Sequence, residues 1–168
     1  KGTEIIFFPD ETVFETIKFS PKKLYDFIKM KAVLVSGTSI DFKIDKGLIV
    51  DSTPSYEKFY FKNGIADYLD IKNKNSAKLF DKQFSIVNKI NETEKCEIFI
   101  SFNQSEKSSL LSFCNTIETP DGGSHENGFK NGIIKAIKLY GQKNQVAKIS
   151  NININDLTDY SDIVISIF

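Results

Sequence analysis

The sequence of 168 residues contains no arginine, and all 22 of its basic residues are lysine. Base reading by the fork of an arginine side chain and catalysis by an arginine finger both require a guanidinium group. Both kinds of chemistry are therefore excluded. Acidic residues also number 22, so the formal net charge is zero. Any contact with nucleic acid must come from a local basic patch.

Histidine and cysteine are almost absent. The only histidine is His125 and the only cysteines are Cys96 and Cys114. These three residues are widely separated, whereas a zinc site of the usual type needs four such ligands, so we expect no metal site. The two cysteines lie nearly symmetrically about a predicted hairpin loop at 103–107, which makes a disulfide geometrically possible. Without a secretory signal, two free thiols are the default expectation.

Long apolar segments are missing as well. No run approaches the ~20 residues needed to span a bilayer, and no signal peptide opens the chain, so we expect a cytoplasmic protein with no membrane contact. A hydrophobic content of 40% and a charged content of 26% are ordinary for a soluble globular domain. The single methionine is Met30, and the chain stops inside an apolar pattern at 163–168. We therefore expect a fragment of a longer protein, comprising one domain over 1–168.

The most informative stretch joins a strand, a turn and a helix between residues 108 and 142. The apolar run 110–117 predicts a strand. The turn at 119–123 follows, because proline fixes φ and two glycines free it where the chain reverses. Ser124 is then the predicted helix N-cap, and Gly141 marks the predicted C-terminal end. The predicted apolar face of this helix consists of Phe129, Ile133, Ile134, Ala136, Ile137 and Tyr140.

The remaining sequence mixes strand and helix patterns, which predicts an α+β fold. Ser20-Pro21 is a start signal for one helix, Asn63-Gly64 introduces a second, and residues 154–160 predict a further helical turn. Residues 72–78 are polar and basic and predict a mobile loop. Strands are predicted at 5–8 (buried on both faces), 40–44, 58–61, 84–86, 96–102, 148–154 and 163–168.

Three motifs in the 108–142 stretch resemble the signature of type IIA topoisomerase B subunits, the family that comprises the B subunits of DNA gyrase and of topoisomerase IV. Because they follow one another in order on a single strand–turn–helix unit, they are more specific than a glycine pair alone. The motifs are Phe113-x-Asn115-x-Ile117, Pro120-Asp121-Gly122-Gly123-Ser124-His125 and Gly128-Phe129-Lys130.

The resemblance covers the whole chain and implies a fold. Lys29-x-Lys31-Ala32-Val33-Leu34 is closer to the topoisomerase IV form than to the gyrase form. The family's transducer domain is a mixed β-sheet backed by helices, ribosomal-protein-like, with an unusual left-handed βαβ crossover where a right-handed one would be the general expectation. Further matching segments are Gly2-Thr3, Phe8-Pro9-Asp10-Glu11-Thr12, Gly64-x-x-Asp67-Tyr68-Leu69 and Ile165-Ser166-Ile167-Phe168.

The resemblance also implies a role. The family's transducer couples ATP binding and hydrolysis to dimer closure and DNA strand passage. Its ATPase domain lies upstream and its Gln-Thr-Lys loop downstream, so the resemblance implies no catalytic or nucleotide-binding residue here. ATP and magnesium would belong to the parent protein, and the partners would be DNA, a second B subunit and the topoisomerase IV A subunit. The gyrase B subunit is the alternative within the family. A non-enzymatic module of the same fold that binds RNA or protein is the alternative from another class.

The turn residues Asp121, Gly122, Gly123, Ser124 and His125 are expected to be structural. Two glycines before a helix could hold a phosphate by backbone N–H groups, but the spacing of the known phosphate-binding loops is missing. A Cys114–His125 nucleophilic pair is the other alternative. We favour a histidine that orders the turn, because Cys114 lies in an apolar strand where a thiol is usually inert.

Lysines on the long helix carry the functional hypothesis. Lys130 falls at the edge of the apolar face, and Lys138 and Lys135 lie further round on the polar side. From the pattern alone, a solvated basic face is the simpler interpretation. The resemblance favours DNA instead, because Lys130 occupies the position of the basic residue in the family's Gly-Phe-Arg, which lines the hole through which DNA passes. The replacement of arginine by lysine keeps the charge and loses the bidentate geometry.

We predict that these 168 residues alone neither hydrolyse ATP nor bind it tightly, because the resemblance places the nucleotide pocket and the γ-phosphate lysine outside them. Calorimetry with a non-hydrolysable ATP analogue and magnesium measures this directly. A dissociation constant in the micromolar range would show the prediction to be wrong.

Overall fold

The computed structural model describes residues 4–89, 91–104 and 108–168, and within them the chain forms four α-helices and seven strands. Of the predicted features, the segment Gly2-Thr3 and most of the hairpin loop at 103–107 lie outside the described residues. The helices are α1 (Pro21–Leu34), α2 (Ile65–Lys72), α3 (Ser124–Lys143) and α4 (Ile154–Thr158). The strands are β1 (Ser39–Lys43), β2 (Tyr56–Tyr60), β3 (Phe84–Lys89), β4 (Lys95–Phe102), β5 (Ser109–Cys114), β6 (Ile117–Glu118) and β7 (Ser161–Ile167).

Five strands form a mixed sheet in the order β3-β4-β7-β5-β6, and β1 and β2 form a separate antiparallel pair. The last strand, β7, lies between β4 and β5; it runs antiparallel to β4 and parallel to β5. Two parallel neighbours need a crossover connection, and here α3 supplies it. The predicted α+β fold with a mixed sheet is therefore confirmed. The handedness of the crossover stays a prediction.

The insertion of β7 excludes a disulfide between the two cysteines, in agreement with the expectation of two free thiols. Cys96 of β4 and Cys114 of β5 each pair with Ile167 of β7, from opposite sides. They are therefore two strand spacings apart, about 10 Å, and a disulfide cannot bridge more than about 7 Å between Cα atoms. Both thiols are free. Burial raises the pKa of the Cys96 thiol, which favours its unreactive protonated form.

Each face of the five-stranded sheet is covered by different elements. Because side chains alternate along a strand, Ile163 and Ile165 of β7 face α3, whereas Val164 faces α1 and α2. The core on the α3 side consists of Ile100, Phe129, Ile163 and Ile165. The core on the other side consists of Ala32, Val33, Leu34, Phe42, Phe59, Phe61, Ile65, Leu69, Phe113 and Val164.

The first helix begins where its local signals predict. The Ser20 side chain accepts a hydrogen bond from the Lys23 backbone N–H, and Pro21 is the first helical residue. At the end of α1, Gly37 adopts φ of 77°, a conformation that glycine tolerates. The described residues contain no helix long and apolar enough to cross a membrane.

Two predicted strands are absent from the described residues. Residues 5–8 form no strand, and their side chains are exposed, with Phe8 at 89%. Their apolar pattern predicts burial on both faces, but they are not part of the five-stranded sheet. Residues 148–154 form no strand either. They contain a 3-10 turn at Ile149–Asn151 and the start of α4, and Lys148 has a left-handed conformation with φ of 61° in place of an extended one.

The third helix extends beyond its predicted end. Gly141 does not terminate α3, which continues to Lys143. It is buried, and a Cβ atom there would lie only 2.1 Å from Cγ1 of Ile149. The glycine is therefore needed for close packing and not as a cap. Of the predicted apolar face, Phe129 is buried but Tyr140 is 70% exposed.

A buried polar cluster joins α2 to the sheet at the start of β7. The Asp162 carboxylate is only 2% exposed and accepts hydrogen bonds from Lys72 Nζ (2.6 Å), Ser109 Oγ (2.6 Å) and Asn103 Nδ2 (2.8 Å). Asn103 Nδ2 also donates to Asn73 Oδ1 at 3.0 Å. Lys72 and Asn73 open the predicted loop 72–78, so that prediction is wrong for these two residues: Lys72 ends α2 and Asn73 is buried.

Burial by itself raises the pKa of Asp162, but hydrogen bonds from Lys72 and Ser109 outweigh it and hold the pKa below its ordinary value. A carboxylate with a lowered folded-state pKa stabilises the fold above its unfolded pKa, near 3.9, and this contribution is lost as the pH falls through the folded-state pKa. The Asp162 cluster should therefore contribute fully at neutral pH and fail in acid.

We predict that Asp162→Asn lowers the free energy of unfolding by about 2–3 kcal/mol at pH 7, because hydrogen bonds to a buried charge are lost. Urea denaturation at pH 7 and at pH values below 4 is the measurement, and the difference from wild type should shrink in acid. Asp70→Asn is the matched control. Asp70 also pairs with a lysine, Lys78 at 3.2 Å, but is 61% exposed. It should change stability by less than about 1 kcal/mol. Equal effects of the two variants would contradict the prediction.

Candidate functional site

The strand that enters the candidate site is shorter than predicted. The apolar run 110–117 is divided by a two-residue turn, in which Asn115 has φ of 49° and Thr116 has φ of 65°. The chain therefore reverses after Cys114, and β6 pairs antiparallel with β5. Asparagine tolerates the left-handed region, whereas a β-branched residue such as threonine rarely adopts it.

The turn after β6 needs both of its glycines, for different reasons. Gly122 has φ of 72° and donates its N–H to the Thr119 carbonyl at 2.9 Å. Gly123 has extended backbone, which any residue can adopt. A Cβ atom on Gly123 would lie 2.8 Å from Cε1 of His125, so its small size makes room for the imidazole ring. Asp121 is exposed beside them.

The start of α3 differs from the prediction by one residue. Gly123 is the N-cap, and Ser124 is the first helical residue and is exposed, so the predicted capping role of Ser124 is wrong. The Ser124 side chain makes no hydrogen bond within the described part of the chain. Glu126 lies in the first helical turn, where the helix dipole favours a carboxylate.

Hydrogen bonds tie this turn to β5. Thr119 donates its N–H to the carbonyl of the buried Ser112 at 2.8 Å, and the two hydroxyl groups lie 2.7 Å apart. The Thr119 hydroxyl is also 3.3 Å from Nε2 of His125. Ser112 Oγ donates to Oε2 of Glu126 at 3.2 Å. His125 thus helps to order the turn. The sequence pattern does not indicate Ser112 or Thr119, because their partners depend on how the turn packs against β5.

Lys130 is not a free cation. Its Nζ lies 2.5 Å from Oε1 of Glu126, one helical turn earlier, and its side chain is 34% exposed. Glu126 is more buried, with 16% of its side chain exposed. The ammonium is thus half-buried beside the turn, and Glu126 partly neutralises its charge.

Lys135 and Lys138 are the unpaired lysines of the middle of α3. Neither forms an ion pair or a side-chain hydrogen bond within the described residues; Lys135 is exposed and Lys138 half-buried. At 100° per residue they point about 60° apart, and Lys135 points about 140° away from Lys130. Lys138 points about 80° away from Lys130, so it lies between Lys130 and Lys135 around α3.

The arrangement supports contact with a polyanion better than it supports catalysis. Among residues 4–89, 91–104 and 108–168, no group of three or more His, Cys, Asp or Glu could hold a metal ion. The imidazole of His125 contacts a threonine hydroxyl, not a thiol. The Glu126 carboxylate lies at the N-terminus of α3, where it disfavours a bound phosphate. The remaining candidate for a functional contact is the set of lysine side chains on the outer side of α3.

Comparison with known proteins gives a consistent result. Residues 64–168 match the family model described as DNA gyrase B. The chain is 33% identical over 171 residues to the B subunit of DNA topoisomerase 4 from Rickettsia felis, covering all of this chain and 26% of that protein. It is 30% identical to the corresponding protein of Caulobacter vibrioides, again over its whole length and 25% of that protein. The B subunit of DNA gyrase from Campylobacter jejuni is 33% identical over 147 residues, which is 88% of this chain and 18% of that protein.

Solved structures agree with the fold. The topoisomerase IV ATP binding domain of Francisella tularensis, in complex with a small-molecule inhibitor, has a TM-score of 0.69 and 29% identity, covering 95% of this chain and 41% of that one. The B-subunit of the DNA gyrase from Myxococcus xanthus has a TM-score of 0.76 at 18% identity, covering 95% of this chain and 42% of that one, and supports the fold alone. The chain spans about a quarter of the topoisomerase 4 proteins that it matches.

We predict that His125→Asn acts on stability. The substitution removes the ring that packs on Gly123 and bonds Thr119, so the free energy of unfolding should fall by about 1 kcal/mol. Urea denaturation measures the change, and Ser124→Ala, one residue earlier and without a bond to lose, should have little effect. If a longer protein containing this chain hydrolyses ATP, loss of that turnover by His125→Asn at an unchanged melting temperature would instead indicate a catalytic role.

Proposed function

The chain belongs to the DNA gyrase B family, and we propose on this basis that it is the transducer domain of a topoisomerase IV B subunit. In that role it couples ATP binding and hydrolysis, carried out elsewhere in the protein, to dimer closure and DNA strand passage. The observation that carries the proposal is the family match over residues 64–168 together with topoisomerase 4 relatives aligned along the whole chain. We propose that the complete protein is part of a cytoplasmic, ATP-dependent isomerase.

Topoisomerase IV is favoured over gyrase by coverage. The topoisomerase 4 relatives align with all of this chain, whereas the gyrase relative from C. jejuni aligns with 88% of it. The partners that follow are DNA, a second B subunit and the A subunit of topoisomerase IV. ATP and magnesium are the proposed cofactors of the complete protein, and none of the residues described above is assigned to bind them.

The sheet suits a domain that transmits force. Its central strand β7 is bonded on both sides, and its faces are covered by α3 on one side and by α1 and α2 on the other. A close-packed core of this kind moves as a unit and does not deform continuously. A displacement imposed on the α1 and α2 layer would therefore reach α3.

The proposed DNA surface is the lysine-bearing part of α3. Lys135 and Lys138 are available to contact phosphates without breaking an ion pair, and Lys130 can join them when its contact with Glu126 opens. Ammonium groups bind phosphates as point charges, and contacts to phosphates carry no sequence information. Binding through this surface should therefore be independent of DNA sequence and sensitive to salt.

A non-enzymatic module of the same fold that binds RNA or protein is the alternative from another class. The two functions differ in what surrounds the chain in its gene. An ATPase domain before it and a Gln-Thr-Lys segment after it would support the topoisomerase. Their absence from the gene would support the binding module.

We predict that Lys130→Gln in the complete enzyme lowers the ratio of DNA-stimulated to DNA-free ATPase rates, because one phosphate contact is lost. The slope of log K against log salt for duplex DNA should shrink in magnitude by roughly 0.9. The double variant Lys135→Gln/Lys138→Gln should shrink it by about twice as much. Both quantities are measured by titrating DNA at two or more salt concentrations.

Two further variants control this experiment. Glu126→Gln removes the anion that holds Lys130 and should increase the stimulation and the salt dependence. Lys62→Gln removes an exposed lysine of the loop between β2 and α2, far from α3 in sequence, and should change neither. If Lys130→Gln behaves like Lys62→Gln, Lys130 is a solvated surface residue and contacts no DNA.

A further inference from the structure

The hairpin between β5 and β6 contains a strained threonine. A two-residue hairpin turn of this kind usually has glycine at its second position, because φ is positive there. Here the residue is Thr116, with φ of 65°. A β-branched residue persists in this region only where its surroundings hold it, and such strain is a starting point for a functional hypothesis.

Lys31 of α1 holds the turn. Its Nζ donates to the Thr116 carbonyl at 2.6 Å and contacts Oγ1 of the same residue at 2.9 Å. The ammonium also lies 4.8 Å from the ring centroid of Phe27, one helical turn earlier. Both oxygen atoms belong to Thr116, and this explains why a threonine occupies a position where glycine is usual. Glycine would relax φ but would remove the second acceptor.

A second contact fixes the turn on its other side. The Asn115 N–H donates to the Ile167 carbonyl, at the end of β7, with a distance of 2.8 Å. The turn is thus held between α1 and the central strand. Lys31 makes no ion pair within the described residues, so these neutral acceptors and one aromatic face are what its charge contacts.

The turn determines where the next elements lie. Only β6 and a short turn separate Thr116 from Gly123, the N-cap of α3. Thr119 is bonded to Ser112, and Ser112 is bonded to Glu126, the ion-pair partner of Lys130. The hairpin turn is thus linked to the first turn of α3 in two ways: along the chain through β6, and through β5, whose Ser112 is bonded to Thr119 and Glu126.

We propose that Lys31 is a clasp between α1 and the β5–β6 hairpin, and that it positions the first turn of α3 for its contact with DNA. The inference rests on the proposed function for its DNA part. It adds a positioning residue on the opposite face of the sheet, remote in sequence from the lysines that touch DNA. The clasp itself depends only on the geometry of the hairpin.

Amide hydrogen exchange tests the proposal in three variants, Lys31→Met, Lys31→Arg and Lys29→Met. Methionine keeps the bulk of the side chain and removes the donors. In Lys31→Met the amides of Asn115 and Thr119 should lose roughly tenfold in protection relative to the β4–β7 ladder, as expected for one charged hydrogen bond. Lys31→Arg keeps hydrogen-bond donors at this position, so most of the protection should be retained. Lys29, on the same helix, makes no side-chain bond in the described residues, so Lys29→Met should leave these amides unchanged.

The same variants in the complete B subunit, assembled with its A subunit, test the DNA part. The ratio of DNA-stimulated to DNA-free ATPase rates should fall in Lys31→Met and recover in Lys31→Arg. Unchanged protection of Thr119 would overturn the clasp. Lost protection with an unchanged ratio would overturn the positioning role. If the wild-type rate does not respond to DNA, the proposed function fails and the DNA part fails with it, whereas the exchange data still decide the clasp.

Discussion

The structure depends on the position of β7, the last strand in the chain, between two strands that precede it. Ile163, Val164 and Ile165 are at most 1% exposed, because β7 is bonded on both sides and covered on both faces. Its parallel pairing with β5 cannot be made by a tight turn, so the chain must cross the sheet, and α3 is that crossing. The apolar face of α3 is then fixed by the side chains of β7 that it covers.

Polar contacts hold the neighbouring elements at both ends of β7. At the start of β7, Asp162 gathers Lys72, Ser109 and Asn103, and so attaches α2 to the sheet. At its end, the Ile167 carbonyl receives Asn115 of the hairpin that precedes α3. In the first cluster a buried carboxylate has a cation as its partner, which keeps its desolvation tolerable. The two layers flanking the sheet are thus joined through one strand.

Local signals predicted the parts of the fold that depend on neighbouring residues. Ser20-Pro21 begins α1 as expected, and the alternation at 40–44 corresponds to β1, because caps and strand faces are decided within a few residues. The features that local patterns could not predict have non-local causes. Gly141 is small because Ile149 packs on it, and the cysteines are separated by a strand that begins only at Ser161, far along the chain from Cys114. Residues 5–8 have a buried pattern but find no sheet within the described residues.

The candidate site also has one part that local spacing predicts and one part that depends on non-local packing. Lys135 and Lys138 could be placed on the outer side of α3 from helical spacing alone, whereas the ion pair of Lys130 depends on the depth at which Glu126 is buried beside Ser112. An arginine at 130 could have kept Glu126 and a phosphate together, since its fork has several donors. An ammonium has three donors but no planar fork, so Glu126 and a phosphate would share one charge at Lys130 without paired hydrogen bonds. In a chain without arginine, the proposed DNA surface is therefore set by charge alone, which suits a wall along which DNA must move without being held at one sequence.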